Sequence, residues 1–169
     1  MNRHAWALLT LAVLAGATPL VVGSTYLLGM LNFIGLNAIA AMGLTLLMGY
    51  AGQVSLGQAS FFGLGAYTSG VLTATYGWNP WLAMAAAALL TGCVAFAIGT
   101  PIFRLSGLLL AMATLGFGIV VYYVLVNWTG LTGGPSGLTG IPPLSVGGFR
   151  FDRDSRFFYL VWGGLLLLL

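Results

Sequence analysis

Lysine and glutamate are absent from this 169-residue chain, whose ionisable charge is confined to five Arg, two Asp and a single His. The 99 residues between His4 and Arg104 contain no Asp, Glu, Lys or Arg, and neither do the 45 between Arg104 and Arg150. Soluble domains carry roughly 25% charged residues; this chain carries 4%. A water-facing surface cannot be built from such a sequence. A lipid-facing one can, because acyl chains ask for no polar partner.

The other scarcities exclude whole classes of chemistry. One cysteine, Cys93, rules out an intramolecular disulfide. It sits in an apolar run where thiolate formation is disfavoured, so it reads as a small packing residue. One histidine, His4, leaves no cluster for a metal. Without lysine there is no phosphate-binding loop, so ATP cannot be hydrolysed by this chain. No carboxylate pair or nucleophile–base constellation is present, so neither an enzyme nor a cofactor is expected. The net charge of +3 comes from arginine alone and forms no basic stripe, which argues against nucleic acid.

What remains is apolar and punctuated. A spanning helix needs about 20 apolar residues. That ruler places spans near 5–22, 26–48, 57–76, 81–103 and 107–128, with a sixth near 157–169. The expected class is all-α, a polytopic transmembrane helix bundle forming one domain over 1–169, with no β-sheet. The sixth stretch reaches only about 20 Å, against a bilayer core of about 30 Å, so the chain is expected to be a piece of a longer one. The first span also reads as a secretory signal, with Arg3, an apolar core and Ala15-Gly16-Ala17. Its apolar run continues to Val22, long enough to span and be retained.

Between the spans stand Gly77-Trp78-Asn79-Pro80, a turn with Trp78 and Trp81 suited to the interface, and Arg104-Leu105-Ser106-Gly107. The Gly-, Pro- and Thr-rich segment 129–156 is expected to be an aqueous loop carrying Arg150, Arg153 and Arg156. Arg3 and Arg104 fall on one side of the bilayer and the three loop arginines on the other, so counting positive charges leaves orientation undecided.

The densest polar run inside the apolar region is Gly52-Gln53-Val54-Ser55-Leu56-Gly57-Gln58-Ala59-Ser60. On an ideal helix Ser55 and Gln58 would share one face, Gln53 and Ser60 another. Polar groups on two faces suit a bundle interior, a water-lined path or a helix interrupted at its glycines. The competing reading is interhelical hydrogen-bond glue and a loop between spans. Gly63, Gly65, Ala66 and Gly70, and the alanines of 83–88, read as close helix packing. Asn32, Asn37 and Thr114 with Gly116 and Gly118 carry the same ambiguity.

The string from Gly43 to Ala59, continued by Phe61-Phe62-Gly63-Leu64-Gly65-Ala66-Tyr67-Thr68, resembles the signature of LivM-type permeases of branched-chain amino acid ABC importers. Arg104-Leu105-Ser106-Gly107-Leu108, Ala113 to Gly118 and Thr132-Gly133-Gly134-Pro135-Ser136-Gly137 follow in the family's order. The resemblance implies a permease subunit of the bacterial inner membrane with a cytoplasmic N-terminus and segment 129–156 outside. It implies four kinds of neighbour: a second, homologous permease, two cytoplasmic ATPase subunits, a periplasmic amino-acid-binding protein and the lipid bilayer. The expected translocation path contains Gln53, Ser55, Gln58, Ser60 and Thr114, and the expected outer-loop site Thr132, Gly133 and Gly134. The substrate would be a branched-chain or related neutral amino acid. The alternative is a channel or facilitator for small neutral solutes such as urea or amides, working without ATP.

Overall fold

A computed structural model describes residues 16–19, 23–53, 55–102, 104–146, 149–151 and 154–168. The helices are α1 (Thr25–Ala51), α2 (Gln58–Ala74), α3 (Pro80–Ile102), α4 (Leu108–Asn127), the single turn α5 (Thr129–Thr132) and α6 (Asp154–Leu168), with a 3-10 turn at Gly134–Ser136. Thr25–Tyr50 of α1, all of α3 and all of α4 are long and apolar enough to cross a membrane. At 1.5 Å per residue the 17 residues of α2 reach about 25 Å and the 15 of α6 about 22 Å. The first expected span lies outside the described residues except for a helical stretch at 16–19.

Local chemistry sets the boundaries. α1 stops at Gly52, whose φ of 62° is open to glycine and whose N–H still donates to Met48 O at 3.1 Å. α3 starts at Asn79-Pro80. The Asn79 side-chain oxygen accepts the Trp81 N–H at 3.0 Å, and proline occupies the first helical position, where its missing donor is not needed. Near the other end Pro101 removes the donor that would bond Ala97 O, and the Thr100 hydroxyl bonds that carbonyl instead at 3.2 Å.

Two departures from the sequence reading fall in segment 129–156. A strand pair exists where none was expected: Ser145 pairs Arg150 and Val146 pairs Phe149, antiparallel, two residues on each side. In addition, α6 begins at Asp154, so Asp154 and Arg156 belong to its first turn rather than to a loop. A carboxylate there complements the positive end of the helix. Asp152 and Arg153 lie outside the described residues.

The chain divides into two compact units, Met1–Gly43 with Ser145–Leu169, and Leu44–Leu144. In the first, Leu28 and Phe158 are buried against Leu31 and Trp162. The Phe158 and Trp162 rings stack with centroids 5.4 Å apart. Gly35 admits this packing, since a Cβ there would stand 2.7 Å from Val161 Cγ1. Asn32, only 5% exposed, donates through Nδ2 to Asp154 O at 3.1 Å.

In the second unit α2 packs against α3 and α4 through small residues. Ala83 and Ala87 of α3 are buried, and a Cβ on Gly65 would meet Thr91 Oγ1 at 3.7 Å. Close backbone approach of this kind holds helices together in lipid, where apolar burial from water contributes nothing. Leu138 and Ile141, beyond the 3-10 turn, lie over α2: a Cβ on Gly70 would meet their Cδ1 atoms at 3.3 and 3.4 Å.

Candidate functional site

The polar run is not a continuous helix face. Between α1 and α2 the described residues Gly52, Gln53, Ser55, Leu56 and Gly57 are not helical, so Ser55 and Gln58 do not share a helical face. The glycine-bounded interruption is the arrangement found, and α4 covers its Gly57 end while Gly52 and Leu56 stay exposed. The Leu56 N–H donates to Thr114 Oγ1 at 3.0 Å, and the same hydroxyl donates to Ala111 O at 3.0 Å. Gly57 is buried, and a Cβ there would stand 3.2 Å from Thr114 O and 3.4 Å from Thr114 Cβ. The rings of Phe61 and Phe117 meet just beyond, with centroids 5.2 Å apart.

The other expected path residues divide by partner. Ser55 Oγ accepts the Gly57 N–H at 3.3 Å and so serves the turn itself. Gln53 is half-buried, and its Oε1 is enclosed without a hydrogen-bond partner among the described residues. Gln58 opens α2 and is half-buried. Ser60 is 6% exposed; its N–H donates to Gly57 O at 3.0 Å, and its hydroxyl lies where a Cβ on Gly118 would be 3.2 Å away. Its hydroxyl makes no hydrogen bond among the described residues.

Beside Ser60 opens a cavity of about 400 Å³ between α2 and α4, lined by Leu56, Ser60, Gly63, Gly118, Tyr122 and Leu125 among others. Leu56 of the polar run and Gly118 line it together with Tyr122, on which no sequence signal falls. The pairing of Ser60 with Gly118 has no local signal, because 58 positions separate them.

The expected outer-loop residues form a different, structural device. Thr132 is 3% exposed rather than aqueous. Its hydroxyl donates to Leu125 O at 2.6 Å and Trp128 O at 2.8 Å, and accepts the Gly134 N–H at 3.2 Å. Gly133 has φ 76° and Gly134 φ 61°, and a Cβ on Gly133 would collide with the Gly137 carbonyl. Leu125 stands 11 residues beyond Thr114 on α4, so the two groups lie about 16 Å apart along that helix.

Elsewhere most polar side chains in the helices bond back to their own backbone. Asn37 donates to Phe33 O, Asn127 to Tyr123 O and Thr73 to Ser69 O, each at 2.8 Å. Such groups are satisfied without a ligand. Enclosed atoms without a partner among the described residues are Gln53 Oε1, Asn32 Oδ1, Thr91 Oγ1 and Trp162 Nε1, of which only Gln53 belongs to the polar run.

The model of the family described as "Branched-chain amino acid transport system / permease component" matches residues 26–169. The high-affinity branched-chain amino acid transport system permease protein LivM of Escherichia coli (strain K12) is 38% identical over 150 residues, covering 88% of this chain and 35% of that protein. The same-named protein of Salmonella typhimurium (strain LT2) is 37% identical over 151 residues, with the same coverage. The chain thus spans about a third of the length of the curated relatives it matches. No solved structure matches it.

Proposed function

We infer, because this chain belongs to the family of permease components of branched-chain amino acid transport systems, that it forms part of the membrane path of an ATP-driven importer of branched-chain or related neutral amino acids. The observation that carries this reading is the interruption between α1 and α2, held to α4 by the Leu56–Thr114 hydrogen bond. Non-helical backbone at membrane depth persists only where protein or an internal aqueous space surrounds it. Broken helices are where transporters expose backbone and side-chain polar groups to a polar substrate. Here Leu56 N–H is satisfied by Thr114, while Gln53 Oε1 is enclosed and unpaired, which leaves an acceptor for an ammonium group.

In this reading the full bundle has five complete spans and a sixth, near 5–22, 26–48, 57–76, 81–103, 107–128 and 157–169. The N-terminus is cytoplasmic and segment 129–156 faces the periplasm. A second homologous permease completes the path, two cytoplasmic subunits hydrolyse ATP, and a periplasmic binding protein delivers the amino acid. This chain catalyses no reaction itself.

The test is ATP-driven leucine uptake by the complete transporter in proteoliposomes carrying Gln53→Leu or Gln58→Leu. Uptake is expected to fall by about tenfold or more, the cost of losing one hydrogen bond of about 1.5 kcal/mol to a charged group, while assembly with the ATPases is unchanged. Wild-type uptake in both variants would mean that the run serves only to hold the helices together.

A further inference from the structure

We propose that the cavity between α2 and α4 receives the aliphatic side chain of the substrate, with Ser60 and the amide end of α2 receiving its carboxylate. This rests on the import function proposed above and assigns it a seat. The cavity, about 400 Å³, falls within the ~300–1,000 Å³ range of ligand sites and is walled mainly by apolar groups such as Leu115 and Leu125. Its polar end is built separately. α2 begins at Gln58, so Ala59 and Ser60, which both line the cavity, belong to its first turn. The Ser60 N–H is already held by Gly57 O at 3.0 Å, so this end offers an anion the Ser60 hydroxyl and the positive end of the helix dipole. Ser60 supplies the second, independent sign: it is 6% exposed, and its hydroxyl has no hydrogen-bond partner among the described residues.

The occupant must therefore be apolar at one end and anionic at the other over a short distance. A branched-chain amino acid has that form. A lipid acyl chain or the apolar face of another helix would fill the walls but leave the Ser60 hydroxyl and the helix end unanswered. Two glycines keep the space open. A Cβ on Gly118 would stand 3.2 Å from Ser60 Oγ, and one on Gly63 3.4 Å from Leu125 Cδ1. Side chains at these positions would narrow the cavity from opposite helices.

The experiment uses the complete transporter in proteoliposomes, energised with ATP and given a diazirine analogue of leucine as photolabel. Adducts are expected within Leu56–Gly63 or Leu115–Leu125, suppressed at least tenfold by excess leucine and unaffected by lysine. Gly118→Val should abolish them while the ATPases still co-purify, and Ser60→Ala should lower them several-fold. Adducts elsewhere, or adducts here that leucine does not suppress, would overturn the proposal; the second result would mean that lipid or another helix fills the cavity. Leucine uptake measured in the same vesicles separates the two readings. Uptake with adducts elsewhere defeats the seat alone, whereas no uptake by the wild type defeats the import function and the seat with it.

Discussion

The backbone amide of Leu56 donates to the hydroxyl of Thr114 at 3.0 Å, tying the interruption after α1 to the middle of α4 across 58 positions of sequence. Valine at 114 keeps the shape and removes the acceptor, so Leu56 N–H would be left unsatisfied at a cost of about 1–3 kcal/mol. Thr114→Val in the complete transporter is expected to lower its melting temperature in detergent by several degrees, and Thr114→Ser to restore most of the loss. A loss in Thr114→Ser with none in Thr114→Val would instead assign the role of Thr114 to its methyl group.

Glycines in this chain fall into distinguishable kinds, and alanine separates them. Gly133→Ala combines a left-handed backbone with a collision against the Gly137 carbonyl. It should destabilise by about 2 kcal/mol or more, since left-handed strain alone costs about 1–2 kcal/mol. Gly116 lies inside α4 with open space around its Cβ direction. Gly116→Ala should be neutral or stabilising by up to about 1 kcal/mol, the helix-propensity difference. Thermal denaturation of the two variants side by side checks the order, and the reverse order would refute the geometry of the turn.

The Thr100–Pro101 pair calls for a double-mutant cycle. Thr100 Oγ1 bonds the Ala97 carbonyl that proline leaves without a backbone donor. Thr100→Val alone should cost about 1 kcal/mol. In a Pro101→Ala background, where an N–H returns at position 101, that cost should fall close to zero. The coupling energy from the cycle is the measured quantity. Additive effects would show that the hydroxyl does not substitute for the missing donor.

Accessibility of the segment after α4 should be uneven. Ser136 is exposed and Thr132 buried under its own hydrogen bonds. With Cys93 replaced by alanine, Ser136→Cys is expected to react with an impermeant maleimide added outside, and Thr132→Cys to react at least tenfold more slowly. Labelling of Ser136→Cys only from the cytoplasmic side would invert the proposed orientation.

Much of this architecture was written locally. The long uncharged stretch, the stop at Gly52, the Asn79-Pro80 start and the boundary at Gly107 are nearest-neighbour signals. The expected spans 26–48, 57–76, 81–103 and 107–128 accordingly meet helices at Thr25–Ala51, Gln58–Ala74, Pro80–Ile102 and Leu108–Asn127. The family, too, was readable from motif order alone. Tertiary structure decided which polar groups are already spent. Of the arrangements open to the polar run, the interruption at its glycines is the one found, because a left-handed glycine ends α1 before Ser55 and Gln58. Thr132 looked solvated because its composition is that of a turn, yet it is buried by carbonyls at the end of α4. Thr114, Ser60 and Gly118 acquire their roles only when two helices meet. A hydrogen bond or close approach between residues 58 apart depends on where distant backbones pack, and no local spacing encodes that.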